Sequence, residues 1–266
     1  MKPVALLDGD IIAYTAASIC QVTEGLHGPL EVPTFNEADV RFAVRRMVDE
    51  WCDKAGAGER VVLLTGRMNF RKIVAPSYKM NRVGAAKPVA LGYARGLLLE
   101  QYGARIVEGL EADDLLGLML TGSMSDGRGV VVSVDKDLRT VPGLHLNPRK
   151  DEKPVEVTLH QADFLWMTQT LTGDPVDGYG GAKGVGPVGA SRTLGGVVGV
   201  SGLWASARAA FQSVGMTHDD ALQQARLARI LRTGDYDKET KEVLLWHPTT
   251  PVRLALPTAT PSSPTG

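Results

Sequence analysis

Only two cysteines, Cys20 and Cys52, occur in 266 residues, and they form no CxxC pair. That excludes a disulfide framework and a cysteine zinc site, and it reads both thiols as core residues of a protein in a reducing compartment. The histidines His27, His145, His160, His218 and His247 are scattered without HxH or HExxH spacing, which removes histidine-zinc chemistry as well. No GxSxG elbow occurs, and no Gly-Lys-Ser or Gly-Lys-Thr closes a glycine-rich loop, so serine-nucleophile and Walker-type nucleotide chemistry have no support. No apolar run approaches the ~20 residues of a membrane span. The opening MKPVALLDGD has one lysine and an apolar run too short for a signal peptide, and the expectation is a cytoplasmic chain with no membrane partner. An excess of one charge is missing too, with 29 Lys and Arg against 30 Asp and Glu. Nucleic acid is therefore not bound through bulk charge, although separate patches of opposite sign are compatible with this balance.

What the chain does have is carboxylate, in four sets. Glu111-Ala112-Asp113-Asp114 places three acids directly before the apolar run Leu115 to Leu120. On a helix Glu111 and Asp114 share a face with Asp113 beside them, and charges that close repel unless a cation lies between them. A hard divalent ion with oxygen ligands is the natural neutraliser. The same acids also suit a capped helix start, so this set alone decides nothing.

Two of the other sets repeat one context. Val4 to Leu7 reads as a buried strand ending in Asp8-Gly9-Asp10, and Gly129 to Val134 as another ending in Asp135-Lys136-Asp137. Val61 to Leu64 and Arg105 to Val107 read as further strands, and Leu144 to Leu146 with Val155 to Thr158 as a terminal pair. Helices are expected from Ile11 to Cys20, after an Asn36 N-cap, and from Pro88 to Gln101, with Gln21 to Phe35 as a loop. This alternation predicts an α/β fold with a central, mostly parallel sheet flanked by helices, which brings the acids to one edge.

A basic segment, residues 67–105, carries Arg67, Arg71, Lys72, Lys79, Arg82, Lys87, Arg95 and Arg105 against the single acid Glu100. With Phe70, Tyr78 and Asn81 interleaved, it suits a phosphate backbone with unstacked bases nearby. After an amphipathic helix from Leu159 to Leu171 come Asp174 and Asp177, then a glycine-rich turn over residues 178–190. Gly184 to Gly189 spells GxGxxG, but no strand precedes it and no acid lies near position 209, so it is not a dinucleotide site. It reads instead as a turn between two helices whose amides at Gly184 and Gly186 grip a phosphate, with Lys183 and Arg192 nearby. The expected organisation is an α/β domain over 1–158, a helical DNA-binding region over 159–248, and a Pro/Thr/Ser-rich disordered tail over 249–266.

Taken in order, LLDGD, SYKMNR at Ser77 to Arg82, EADD, SVDKDL at Ser133 to Leu138, TGDPVDGYGGAKGVGP and LARILRTGDYD carry a resemblance. The chain resembles the 5′→3′ exonucleases and flap endonucleases, most closely their short phage form, nearly throughout to about Pro248. The resemblance implies a PIN-like nuclease domain with a helix-hairpin-helix element, cutting DNA near 5′ ends of duplexes or at 5′ flaps, with RNA–DNA hybrids as a further substrate. It implies that Asp8, Glu111, Asp113, Asp114, Asp135, Asp137, Asp174 and Asp177 hold two Mg²⁺ ions, for which Mn²⁺ substitutes, and that a K⁺ sits at the helix-hairpin-helix turn. Lys79 and Arg82 match the basic pair that touches the scissile phosphate, and Tyr78 the aromatic beside them. Arg67, Arg71, Lys72, Lys87, Lys183 and Arg192 are the further expected DNA contacts.

Two departures stand out. Where the family has an acid after the second strand, this chain reads Leu64-Thr65-Gly66-Arg67, and Asp10 or a water is expected to supply the lost coordination, with weaker binding at one metal position. Val188 stands in the turn where the family often has Lys. Two alternatives follow from the same residues: a DNA-structure-binding relative with weakened catalysis, motivated by Gly66, and a haloacid-dehalogenase-type phosphatase with Asp8 as a covalent nucleophile.

Overall fold

The computed structural model describes residues 1–24, 32–122 and 127–256. Its centre is strand β1 (Val4–Asp8), a VALLD run buried at every position, as expected of a strand covered on both faces. It leads straight into helix α1 (Gly9–Ile19), then into a short antiparallel pair, β2 (Gln21–Glu24) with β3 (Val32–Phe35). The expected loop over 21–35 is thus a hairpin at both ends, and its middle, residues 25–31, lies outside the described residues. Asn36 caps α2 (Glu37–Lys54), accepting the Ala38 and Asp39 amides, and β4 (Glu59–Leu63) follows. The basic segment contains α3 (Arg71–Val74), a 3-10 turn at Met80–Arg82 and α4 (Leu91–Tyr102), which ends at the left-handed Gly103. Helix α5 (Ala112–Thr121) then leads to β5 (Gly129–Val132), β6 (Gly143–Leu146) and β7 (Val155–Val157).

The sheet order is β4-β1-β5-β6-β7, parallel except at β7. Arg105 to Val107 does not add a strand, since Arg105 makes only an isolated bridge to Leu63. Alternation along the strands separates two cores. Ala5, Leu7, Val62 and Val130 pack with α1, α2 and α4 on one face, whereas Leu6, Leu63 and Val131 pack with α5 on the other. The chain passes from β1 out to β4 and back past β1 to β5, so the carboxyl end of β1 lies at the point where the strand order reverses. In open parallel sheets this crevice is where ligands bind.

A third core belongs to α6 (Leu159–Thr172), α7 (Pro187–Leu194), α8 (Val200–Ser213) and α9 (His218–Ala228). Trp246 closes it, edge-on to Trp166 at 4.8 Å and to Trp204 at 5.1 Å. After Ala228 the chain returns to the sheet layer, where Ile230, Leu231, Val243 and Leu245 join the α5 core. This last part forms a small sheet of β8 (Tyr236–Asp237), β9 (Glu242–Leu245) and β10 (Val252–Ala255). Strand β10 falls inside the expected disordered tail, whose remainder, residues 257–266, lies outside the described residues. Among the described residues no helix is long and apolar enough to cross a membrane.

Candidate active site

Four segments deliver the acids. Asp8 ends β1 and caps α1, its Oδ1 accepting the Ile11 amide at 3.1 Å. Ser133, just after β5, donates to Asp8 Oδ2 at 2.7 Å and accepts the Asp135 amide at 3.0 Å, which ties two strand ends together. Asp135 in turn accepts the Asp137 amide at 2.8 Å, and Gln169 of α6 donates to Asp137 Oδ1 at 2.7 Å. Helix α5 brings Glu111 as its N-cap and Asp113 in its first turn. The loop after α6 brings Asp174 and Asp177, folded back by paired backbone hydrogen bonds between Asp174 and Tyr179. Together with Asp10, Lys79, Arg82 and Arg95, these acids line one cavity of about 580 Å³.

The acidic loop depends on a close backbone crossing. Gly181 has φ of +64°, and a Cβ there would lie 2.3 Å from the Gly173 nitrogen and 2.4 Å from the Leu171 carbonyl oxygen. Gly181→Ala is therefore expected to cost about 2 kcal/mol or more, read as a drop of several degrees in Tm. An unchanged Tm would show that the loop tolerates displacement.

Electrostatics divides the acids into two groups. Burial pushes the Asp8 carboxyl up to about 7 against the hydrogen bond from Ser133, with repulsion from Asp10 and Asp135 adding to it. Asp113 is driven well above the usual carboxylate range by burial and then by Asp8, Asp135 and Glu111. Asp137 rises to about 6 through burial and the charge of Asp135. Lys79 near Asp113 and Lys136 near Asp137 pull the other way but do not offset the rise. Glu111 differs: burial raises it, but Lys79 and Arg71 outweigh burial and hold it below its ordinary value. Asp177 has partners as well, accepting from Arg82 at 2.6 Å and from the Tyr78 hydroxyl at 2.8 Å. Lys79 bonds Glu111 and lies 3.6 Å from Asp177. It does so from a left-handed backbone, φ +56°, a conformation costly for a side-chain-bearing residue and concentrated at functional sites. Among the described residues, no group of three or more acids, histidines or cysteines converges into a ready-made metal cage. The acids share the cavity, and several of them bond the protein donors around it.

No family model matches the chain. Over 282 aligned positions it is 27% identical to the exonuclease of Escherichia phage T7, covering 93% of this chain and 94% of that protein. It is also 27% identical over 282 positions to the exodeoxyribonuclease of Enterobacteria phage T3, covering 93% of each. The chain is thus similar to phage exonucleases over nearly its whole length. Among solved structures, the T5 5′-exonuclease with bound zinc superposes with a TM-score of 0.61 at 16% identity, over 85% of this chain and 88% of that one. The T5 flap endonuclease in complex with DNA and metal ions gives a TM-score of 0.58 at 16% identity over the same shares. At these identities the likeness is one of fold.

Set against the family's pattern, the structure separates residues that the sequence groups together. Every expected metal carboxylate lines the cavity except Asp114. Asp114 is fully buried and receives both Arg71 guanidinium nitrogens, at 2.7 and 2.8 Å, so its charge is spent inside the protein. Arg71 is correspondingly no DNA contact, being 2% exposed and committed to Asp114, Glu111 and the carbonyls of Leu227 and Arg229. Tyr78 is also 2% exposed, and its hydroxyl bonds Glu111 and Asp177, so it positions acids and offers no stacking face. Asp10, the acid expected to stand in for the one missing at Gly66, lines the same cavity and is paired there with Arg95 and the Thr65 amide. A side chain at Gly66 would press on Glu108, whose Oε2 lies 3.2 Å from the added Cβ and accepts the Arg67 amide. Arg67, Lys72, Lys87, Lys183, Gly184, Gly186 and Arg192 are exposed and outside the cavity wall. Sequence reasoning missed Ser133 and Gln169, and it placed Arg95 in the basic segment without singling it out. Ser133 had a signal, standing between a strand and its acids, whereas Gln169 sits in an apolar helix and Arg95 among other cations.

Proposed function

We propose that this chain is a structure-selective 5′–3′ nuclease that hydrolyses DNA phosphodiesters at duplex 5′ ends and 5′ flaps, with two divalent metal ions. The observation that carries the reading is the set of carboxyls raised by burial and mutual repulsion, Asp8, Asp113 and Asp137, in one cavity with Lys79 and Arg82 at its wall. The donor chemistry fits hard divalent ions: all oxygen, no histidine or thiolate, with charge the protein leaves unbalanced. Asp8, Asp113, Asp135, Asp137, Asp174 and Asp177, which share the cavity, would hold the ions. When bound, such ions activate a water and stabilise the leaving oxygen.

The remaining work falls to the chain. Lys79 and Arg82 exchange Glu111 and Asp177 for the incoming phosphate, and their charges then oppose what builds on it in the transition state. The Tyr78 hydroxyl keeps Glu111 and Asp177 in place during that exchange, and Ser133 holds Asp8 and the Asp135 backbone in register. The glycine turn before α7, with Lys183 and Arg192, grips the duplex away from the cut, and we place K⁺ at its carbonyls.

The test is a duplex labelled at its 5′ or its 3′ end and a 5′-flapped duplex, incubated with Mg²⁺, Mn²⁺ or EDTA. Cutting from the 5′ side that EDTA abolishes is the expected result. A second reading, a DNA-structure-binding relative without catalysis, is motivated by Gly66 at the position where the resembling nucleases carry an acid. It predicts tight flap binding with no cutting at any metal concentration. Hydrolysis of a small phosphomonoester without DNA cutting would favour a phosphatase, but Asp8 is 2% exposed and held by two hydrogen bonds, poorly placed as a nucleophile.

A further inference from the structure

Arg95, like Lys136, is a cation of the cavity lining that the nuclease chemistry above leaves unused. It stands on α4, next to Ala94, whose side chain is buried with Leu97 and Leu98 against α1 and α2. Lys79 and Arg82 belong to the turn that packs on the Asp174–Tyr179 loop, so Arg95 approaches from a different helical layer. One guanidinium nitrogen bonds Asp10, and the other donates to the Thr65 carbonyl at 2.7 Å. Asp10 fixes the same stretch by accepting the Thr65 amide at 3.0 Å, and the Thr65 hydroxyl accepts the Ala112 amide at 2.9 Å. The guanidinium is thus braced to the start of α1, to the end of β4 and, through Thr65, to the first turn of α5.

That bracing leaves donors free. A guanidinium carries five N–H groups in a planar fork, of which the two contacts use only part. The side chain keeps 28% of its surface exposed while lining the cavity. Asp10 balances its charge in the free protein and holds the fork pointing one way. A DNA strand crossing the cavity brings several phosphates, and two metal ions with Lys79 and Arg82 account for the one being cut. We propose that Arg95, positioned by Asp10, binds a phosphate of the cut strand next to the scissile one. This assignment rests on the nuclease reading.

The test uses full-length Arg95→Met, which keeps the aliphatic packing, Arg95→Lys, and wild type, each binding a 5′-flapped duplex in EDTA across a salt series. The expected result for Arg95→Met is binding about tenfold weaker at low salt, with the slope of log Kd against log salt reduced by about 0.7 to 0.9, one phosphate contact. Arg95→Lys recovers the slope but only part of the affinity, since it keeps the charge and loses the fork. With Mg²⁺, KM rises about tenfold and kcat changes little, as for a contact made equally in ground and transition states. An unchanged Kd and slope in Arg95→Met with a lowered Tm would overturn the proposal and make the Asp10 pair purely structural. Wild type that neither binds nor cuts the flap would overturn the nuclease reading itself.

Discussion

Asp113→Asn is expected to raise the Tm of the metal-free protein and, in the same variant, to slow DNA cutting by about a thousandfold. The two effects share one cause. Asp113 is held far above the usual carboxylate range by burial and by Asp8, Asp135 and Glu111, so its charge is tolerated only with a cation present. Asparagine keeps the shape and removes the charge, for a gain of about 1 kcal/mol, or ~2–4 °C. The loss in rate corresponds to about 4 kcal/mol of transition-state stabilisation that a properly held metal ion provides. A pH series separates this from a packing effect. Asp8 is raised from 3.8 to about 7 on folding, so the folded state binds more protons than the unfolded one between those values. Its contribution is fully present below about 4 and is lost as pH rises through about 7. Metal-free wild type should therefore melt at falling temperature across that window, and Mg²⁺, which binds only the folded site, should reverse the fall at pH 7. In Asp113→Asn the fall should be shallower. A metal-free variant that melts below wild type would mean that the Asp113 charge is already balanced, and one that cuts at the wild-type rate would remove it from the site.

The strand-then-acid repetition is legible in the sequence because a strand buried on both faces reads as an unbroken apolar run, and whatever polar residue ends it must emerge at the sheet edge. Asp8 and Asp135 were placed by that rule alone. Partner identity is not legible in the same way. Glu111 stands just outside α5 as its N-cap, joined to Asp114 by a capping box, yet both turn to Arg71, and only Glu111 also reaches the cavity. Arg71 and Asp114 are separated by 43 positions, and Arg95 and Asp10 by 85, so in a run of cations nothing local marks which ones are buried. Tyr78 looked like a stacking aromatic beside two cations, and its burial follows from joining the core of the helical region with Trp166, Leu171 and Tyr179. Strand β10 is too short for its alternation to stand out in a stretch rich in Pro and Thr, and its partner β9 is supplied only by the fold.

Arg71→Ala is expected to destabilise the protein by about 3–5 kcal/mol, enough to unfold a marginal domain at 37 °C, while leaving DNA contacts untouched. The reason is the number of groups that one side chain satisfies. Its two terminal nitrogens hold Asp114 in a fork, one of them also reaches Glu111 at 3.2 Å, and the Leu227 and Arg229 carbonyls take the remaining bonds. Asp114 in turn accepts the Leu231 amide, so the link runs from the basic segment through α5 to the chain leaving α9. Truncation leaves a fully buried carboxylate without a counter-charge and two carbonyls without donors, and both losses are far costlier than the pair's net worth. Lysine does not restore it, since an ammonium has no planar fork. Removing both charges with Arg71→Met and Asp114→Leu together should recover part of the loss, because the uncompensated charge goes with its partner. Urea unfolding of the two single variants and the double variant measures this. A loss under about 1 kcal/mol in Arg71→Ala would show that water enters and solvates Asp114. Weaker flap binding by Arg71→Ala at a temperature where it remains folded would instead return Arg71 to the DNA surface, against its burial.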